Sequence, residues 1–122
     1  MVAVMGFSAD QIREADKMMY TVVARNPTAP LHSPVGTVAC RTAGYDEGMI
    51  SHESQRALES FAGVGNPFCA NVIRQGDTVL DIGAGAGTDV IIASRLVGNQ
   101  GRVIALDLTR AMRSKLESIL ES

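Results

Sequence analysis

The sequence predicts an α/β fold built on parallel strands, and three observations carry that prediction. Thr78-Val79-Leu80-Asp81-Ile82 is a short apolar run of strand length, interrupted by one acid and followed at once by Gly83-Ala84-Gly85-Ala86-Gly87. Arg102-Val103-Ile104-Ala105-Leu106-Asp107-Leu108 is a second such run, of the kind found in strands buried on both faces. Helical patterns follow each run, from about Thr88 to Leu96 and from about Arg110 to Glu121. The order strand, helix, strand, helix implies a right-handed crossover between parallel strands.

The glycine-rich stretch is where a ligand is expected. Alternating glycines let the chain turn sharply from strand into helix, and they leave room for a ligand where side chains would stand. Their spacing narrows the choice of ligand. A dinucleotide fingerprint needs glycines at the first, third and sixth places, and counting from Gly83 the sixth place is Thr88. A P-loop needs a Gly-Lys-Ser/Thr ending, and no lysine is present there. What remains is acid-x-Gly-x-Gly-x-Gly, led by Asp81. A carboxylate at that point repels phosphate and suits an ammonium group. The pattern resembles the first motif of class I S-adenosylmethionine-dependent methyltransferases, whose cofactor carries a sulfonium and an amino group.

Asp107, at the end of the second strand, is placed to accept hydrogen bonds from two ribose hydroxyls. The same acid also fits as a helix N-terminal group, since Thr109 can cap the helix that follows. For Asp89, in the first turn of the helix after the glycines, a favourable contact with the helix dipole is a sufficient explanation.

Composition excludes several classes. A chain of 122 residues is one domain by length, with enough residues for a core. A net charge of -2 offers no electrostatic footprint for nucleic acid or an anionic membrane, and there is no tryptophan for a base-stacking platform. No apolar run approaches the roughly 20 residues of a membrane span, and Met1 to Asp10 has neither the basic region nor the length of a signal peptide. The expectation is a cytoplasmic protein. Cys40 and Cys69 are too few and too far apart for a disulfide framework or a zinc site, so free thiols and no metal are expected.

The remaining elements follow from local signals. Ser8 and Gln11 form a capping box for a helix from about Ala9 to Ala24. Ile12, Ala15, Met18, Met19 and Val22 form one stripe at helical spacing, read as the face that packs onto the domain. Asn26-Pro27-Thr28-Ala29-Pro30 stops that helix, and an irregular segment is expected as far as Gly48, with Gly36 to Cys40 as a candidate short strand. One helix is expected from near Ser51 to Phe61-Ala62-Gly63. Another is expected from Asn66-Pro67 to about Arg74, with Gly76 beyond its end. Residues 1–76 are read as a helical segment packing on the core, and residues 77–122 as the first half of a cofactor-binding core. His32 and His52 lack a carboxylate or cysteine at catalytic spacing and are read as surface histidines.

Three further blocks carry a closer resemblance. Ser60-Phe61-Ala62-Gly63-Val64-Gly65-Asn66-Pro67-Phe68, Arg74-Gln75-Gly76-Asp77-Thr78-Val79-Leu80-Asp81-Ile82-Gly83 and Val97-Gly98-Asn99-Gln100-Gly101-Arg102 through Thr109 resemble arsenite methyltransferases and their close relatives. Tyr20, Ala24-Arg25-Asn26-Pro27 and Gly36 are similar to that family's N-terminal segment, so the likeness runs from about Tyr20 to Met112. It implies a partial Rossmann-like class I methyltransferase fold. It also implies S-adenosylmethionine as cofactor, held by Asp81, Gly83, Gly85, Gly87, Asp107 and Leu108. Tyr20 and Phe61 are in position either to close over the cofactor or to pack on helix faces. Where arsenite enzymes carry Gly-Cys-Gly this chain has Gly63-Val64-Gly65, which removes one of the soft thiolates that trivalent arsenic needs. Cys40 corresponds to an early family cysteine and Cys69 to none; both are read as buried structural residues.

Members of that family continue well beyond the matched region, so the chain reads as an N-terminal half. Two strands alone leave two open edges. A homodimer or other oligomer through a strand edge is therefore expected, or a separate C-terminal half, with no nucleic acid or membrane partner. Two functions remain open: a methyltransferase module acting on a small molecule, or a non-catalytic, self-associating half-domain.

Overall fold

Both apolar runs form strands. The computed structural model describes residues 6–30, 33–50 and 54–122. β1 (Thr78–Ile82) and β2 (Arg102–Leu106) pair in parallel, with Val79 opposite Val103, Asp81 opposite Ala105 and Ile82 opposite Leu106. Among the described residues the sheet has these two strands. Side chains alternate across it. Val79, Val103 and Ala105 turn toward the helices and join the core. Leu80, Ile82, Ile104 and Leu106 form the opposite face, where they are 53%, 77%, 42% and 50% exposed.

The connecting helix α4 (Thr88–Val97) packs on the sheet and is apolar almost all round, burying Val90, Ile91, Ile92, Ala93 and Val97. Gly87 caps its start at φ +99°, and Gly98 ends it at φ +65°. The C-terminal helix α5 (Arg110–Leu120) buries Met112, Leu116 and Ile119 at helical spacing. These bounds match the sequence expectation because each signal is local: strand, glycine turn, periodic helix.

The first helix, α1 (Ala9–Arg25), starts as expected. Ser8 Oγ accepts the Gln11 N–H at 3.2 Å and Gln11 Oε1 accepts the Ser8 N–H at 2.8 Å. Its orientation is not as expected. Ile12, Ala15, Met18, Met19 and Val22 all face solvent, and the buried residues are Val23 and Ala24, with Tyr20 partly covered. The helix docks by its last two turns on α5 and around Ala57, where small side chains permit close approach. The buried Ser60 hydroxyl donates to Val23 O at 3.0 Å and anchors this end. Periodicity identified an apolar face, but close packing chose a different one.

The middle of the chain corrects three further expectations. Gly36 to Cys40 is not a strand: Thr37–Thr42 forms helix α2, entered through Gly36 at φ +71°. Ala39 and Cys40 sink into the core beside Tyr45, Leu58 and Phe61, and burial on one helical face outweighs the β-branched content of the segment. Glu47–Met49 then forms a 3-10 turn. The helix expected from Ser51 is described only as α3 (Gln55–Leu58), Ser51 and His52 lying outside the described residues, as does His32. From Asn66, the Asn-Pro cap opens only a 3-10 turn, Pro67–Ala70. Asn71 turns left-handed at φ +48°, and the Arg74 N–H is taken by the Asp77 carboxylate at 2.7 Å. Cys69 is exposed, contrary to the buried reading, whereas Cys40 is fully buried.

Candidate functional site

The glycine loop is tied to the end of β2 by its backbone. The N–H groups of Gly83 and Ala84 both donate to Leu106 O, at 2.8 and 2.9 Å. One residue on, the Gly85 N–H donates to Asp107 Oδ2 at 2.8 Å, and Asp107 Oδ1 accepts the Thr109 N–H at 2.7 Å. Asp107 thus ties the loop to Thr109, the residue before α5, whose own side chain makes no cap hydrogen bond, contrary to the expectation for it. Each carboxylate oxygen has a second lone pair for a further donor.

Gly83, Gly85, Asp107 and Leu108 line one cavity of about 440 Å³. Its other walls come from elements far apart in sequence: Lys17 and Tyr20 of α1, Ser60 to Val64, Thr88 and Asp89 of α4, and Met112 of α5. Tyr20 and Phe61 both line the cavity, and the packing expected of them is present as well.

The three glycines separate by role. A Cβ on Gly83 or Gly85 would meet nothing within 4 Å, so both open to free space, at φ +86° and +54°. Gly87 lies outside the cavity wall, and a Cβ there would stand 2.3 Å from Leu116 Cδ1. Its glycine is required by the approach of α5 and by a left-handed backbone.

The acids separate as well. Asp81 does not reach the cavity wall, and its Oδ2 is buried without a hydrogen-bond partner. Burial first, then the nearby charges of Asp89 and Asp107, push its carboxyl above the ordinary range. Asp89 does line the cavity, and its Oδ1 accepts the Tyr45 hydroxyl at 2.6 Å. Burial raises its pKa and the Tyr45 hydrogen bond opposes that rise. The Tyr45 phenol is held protonated by burial, by that hydrogen bond and by the Asp89 charge. The dipole contact expected for Asp89 therefore omits its main partner. The one available hint was Tyr45 itself, a lone aromatic between Gly44 and Asp46 in a chain with few aromatics.

Among the described residues no cluster of three or more His, Cys, Asp or Glu could hold a metal ion, and no helix is long and apolar enough to cross a membrane. The cavity lining combines glycines, the rings of Tyr20 and Phe61, Met112, the carboxylates of Asp16, Asp89 and Asp107, and Lys17.

Comparison with known proteins finds methyltransferases. The profile of the protein-L-isoaspartate(D-aspartate) O-methyltransferase (PCMT) family matches residues 51–122. The arsenite methyltransferase of Halobacterium salinarum is 40% identical over 72 residues, 59% of this chain and 18% of that protein. A probable cobalt-precorrin-6B C(15)-methyltransferase (decarboxylating) of Saccharolobus solfataricus is 57% identical over 35 residues, 29% of this chain and 18% of that protein. The matched region thus spans about a fifth of the length of either relative. No solved structure matches the chain. With the parallel strands and glycine turn, these likenesses identify a partial Rossmann-like fold of the class I methyltransferase type.

Proposed function

We propose that this chain, which belongs to the protein-L-isoaspartate(D-aspartate) O-methyltransferase family, is the S-adenosylmethionine-binding half of a methyltransferase acting on a small molecule. The observation that carries the reading is the convergence of Gly83, Gly85, Asp107 and Leu108 on one cavity. Asp107 would accept the ribose hydroxyls, its orientation already set by the Gly85 and Thr109 N–H groups. The cofactor's amino-acid end would lie over Gly83 and Gly85, with Tyr20 and Phe61 at its side. Asp81 and Gly87 stand off the cavity wall, Gly87 facing Leu116 of α5. When bound, the cofactor supplies a methyl group on a sulfonium, and transfer from it needs chiefly in-line positioning. A net charge of -2 favours a small acceptor over nucleic acid.

Titration calorimetry with S-adenosylhomocysteine tests this reading. Micromolar, saturable binding is expected, weakened at least about tenfold in Asp107→Ala, as befits loss of hydrogen bonds to a charged group. The absence of heat at millimolar ligand overturns it.

The exposed sheet face favours a second reading, a self-associating half-domain. Parallel strands are ordinarily covered on both faces, yet Leu80, Ile82, Ile104 and Leu106 are open. The patch itself carries no charge, so two copies can meet across a two-fold axis without like-charge repulsion, through this face and the adjoining open edge. We expect a dimer by light scattering at micromolar concentration, and a monomer for Ile82→Lys. A monomeric wild-type protein sinks the idea.

A further inference from the structure

Asp81 leads the glycine motif, yet the carboxylates on the cavity wall are those of Asp16, Asp89 and Asp107, and of these Asp89 alone belongs to the helix that follows the glycines. Asp89 lines the cavity with Gly83, Gly85 and Phe61, whereas Asp81 lies off the cavity wall with one oxygen buried and unpartnered. The position of Asp89 is unusually well determined. It is the second residue of α4, in the first turn, where free N–H groups favour an anion. Its Oδ1 is gripped by the Tyr45 hydroxyl at 2.6 Å. Tyr45 in turn is only 6% exposed and is held edge-on by Phe61 and Phe68, with ring centroids 5.2 and 6.2 Å away. The phenol can therefore not follow a moving carboxylate, and the carboxylate is kept in one orientation.

No protein donor engages Asp89 Oδ2 among the described residues. Among those residues no cation balances its charge either. Lys17, on the same cavity wall, is paired with Glu14 at 2.7 Å, and Arg113 donates to the backbone oxygen of Asp107. A half-buried carboxylate held by a buried phenol, with a free oxygen and no ion pair of its own, is complementary to an ammonium group supplied by a ligand.

We infer that Asp89, positioned by the Tyr45 hydroxyl, receives the α-ammonium of the cofactor's amino-acid end, and that Asp81, off the cavity wall, does not. The inference rests on the cofactor reading above and deepens it. It divides the site into a ribose acid, Asp107, and an ammonium acid, Asp89. Phe61 contributes twice, lining the cavity and packing against the ring of Tyr45.

The test compares two ligands on the full chain: S-adenosylhomocysteine, and 5′-methylthioadenosine, which keeps adenine and ribose but lacks the ammonium and carboxylate. Asp89→Asn, which retains an acceptor for Tyr45, is expected to weaken S-adenosylhomocysteine about tenfold or more and to leave 5′-methylthioadenosine within about twofold. Tyr45→Phe is expected to weaken S-adenosylhomocysteine several-fold with the same selectivity, a pattern that general destabilisation would not produce. Asp81→Asn is expected to leave both affinities within about threefold. Equal losses for both ligands in Asp89→Asn overturn the inference, as does a selective loss in Asp81→Asn alone. If the wild type binds S-adenosylhomocysteine and Asp89→Asn binds it equally well, only this assignment falls. If the wild type binds neither ligand, the cofactor reading falls and takes the assignment with it.

Discussion

Gly87→Ala is expected to destabilise the fold by about 3 kcal/mol, a large share of the roughly 5–15 kcal/mol that holds a typical domain together. Two effects add. At φ +99° any L side chain is strained, by about 1–2 kcal/mol. The new methyl would also lie 2.3 Å from Leu116 Cδ1. Leu116 is buried against Ala84 and Val90, so it can yield only by disturbing that cluster, and overpacking of this kind costs about 1–3 kcal/mol. Denaturant unfolding of Gly87→Ala, Leu116→Ala and the double variant separates the two. The double variant should recover the steric part and keep the backbone part. A loss below about 0.5 kcal/mol in Gly87→Ala would contradict the role assigned to this glycine.

Asp81→Asn is expected to have the opposite sign at neutral pH. Its buried, unpartnered Oδ2 and its carboxylate neighbours make the charged form unfavourable in the folded state. A carboxyl whose folded pKa is raised contributes stability that is fully present below its ordinary value of 3.8 and is lost as pH rises through the folded value. At pH 7 the charge is therefore a net burden, and the neutral amide removes it. We expect Asp81→Asn to be more stable than the wild type at pH 7, because the amide carries no charge to be desolvated or to be repelled by Asp89 and Asp107. The advantage should shrink as pH falls toward the ordinary carboxyl value of 3.8 and vanish below it. Thermal melts of both proteins from pH 4 to 8 decide the matter. Parallel curves, or a less stable variant at pH 7, would refute it.

The two substitutions also mark the limit of motif reading. Asp81 and Gly87 belong to the same loop pattern as Gly83 and Gly85, and that pattern alone has all four meeting the ligand. The structure puts only Gly83 and Gly85 on the cavity wall. Spacing along a chain records that a backbone must turn tightly; it does not record which side of each residue faces a ligand and which faces a neighbouring helix. Tyr45 and Asp89, 44 positions apart, are invisible as a pair for the same reason.

What the sequence determined by itself is whatever depends on neighbours within a turn or two. That covers β1 and β2 from their apolar runs, α4 and α5 from periodicity, the Ser8–Gln11 capping box, and a glycine loop that is neither dinucleotide nor P-loop in spacing. What only the tertiary structure decided is whatever depends on competition between distant surfaces. Val23 and Ala24, rather than the methionine stripe, became the docking face of α1 because small residues meet there at close range. Gly36 to Cys40 became the start of a helix because Cys40 had a core to enter. The same competition left Leu80, Ile82, Ile104 and Leu106 uncovered. Apolar side chains are drawn out of water in any fold, and only the assembled geometry settles which of them find a partner.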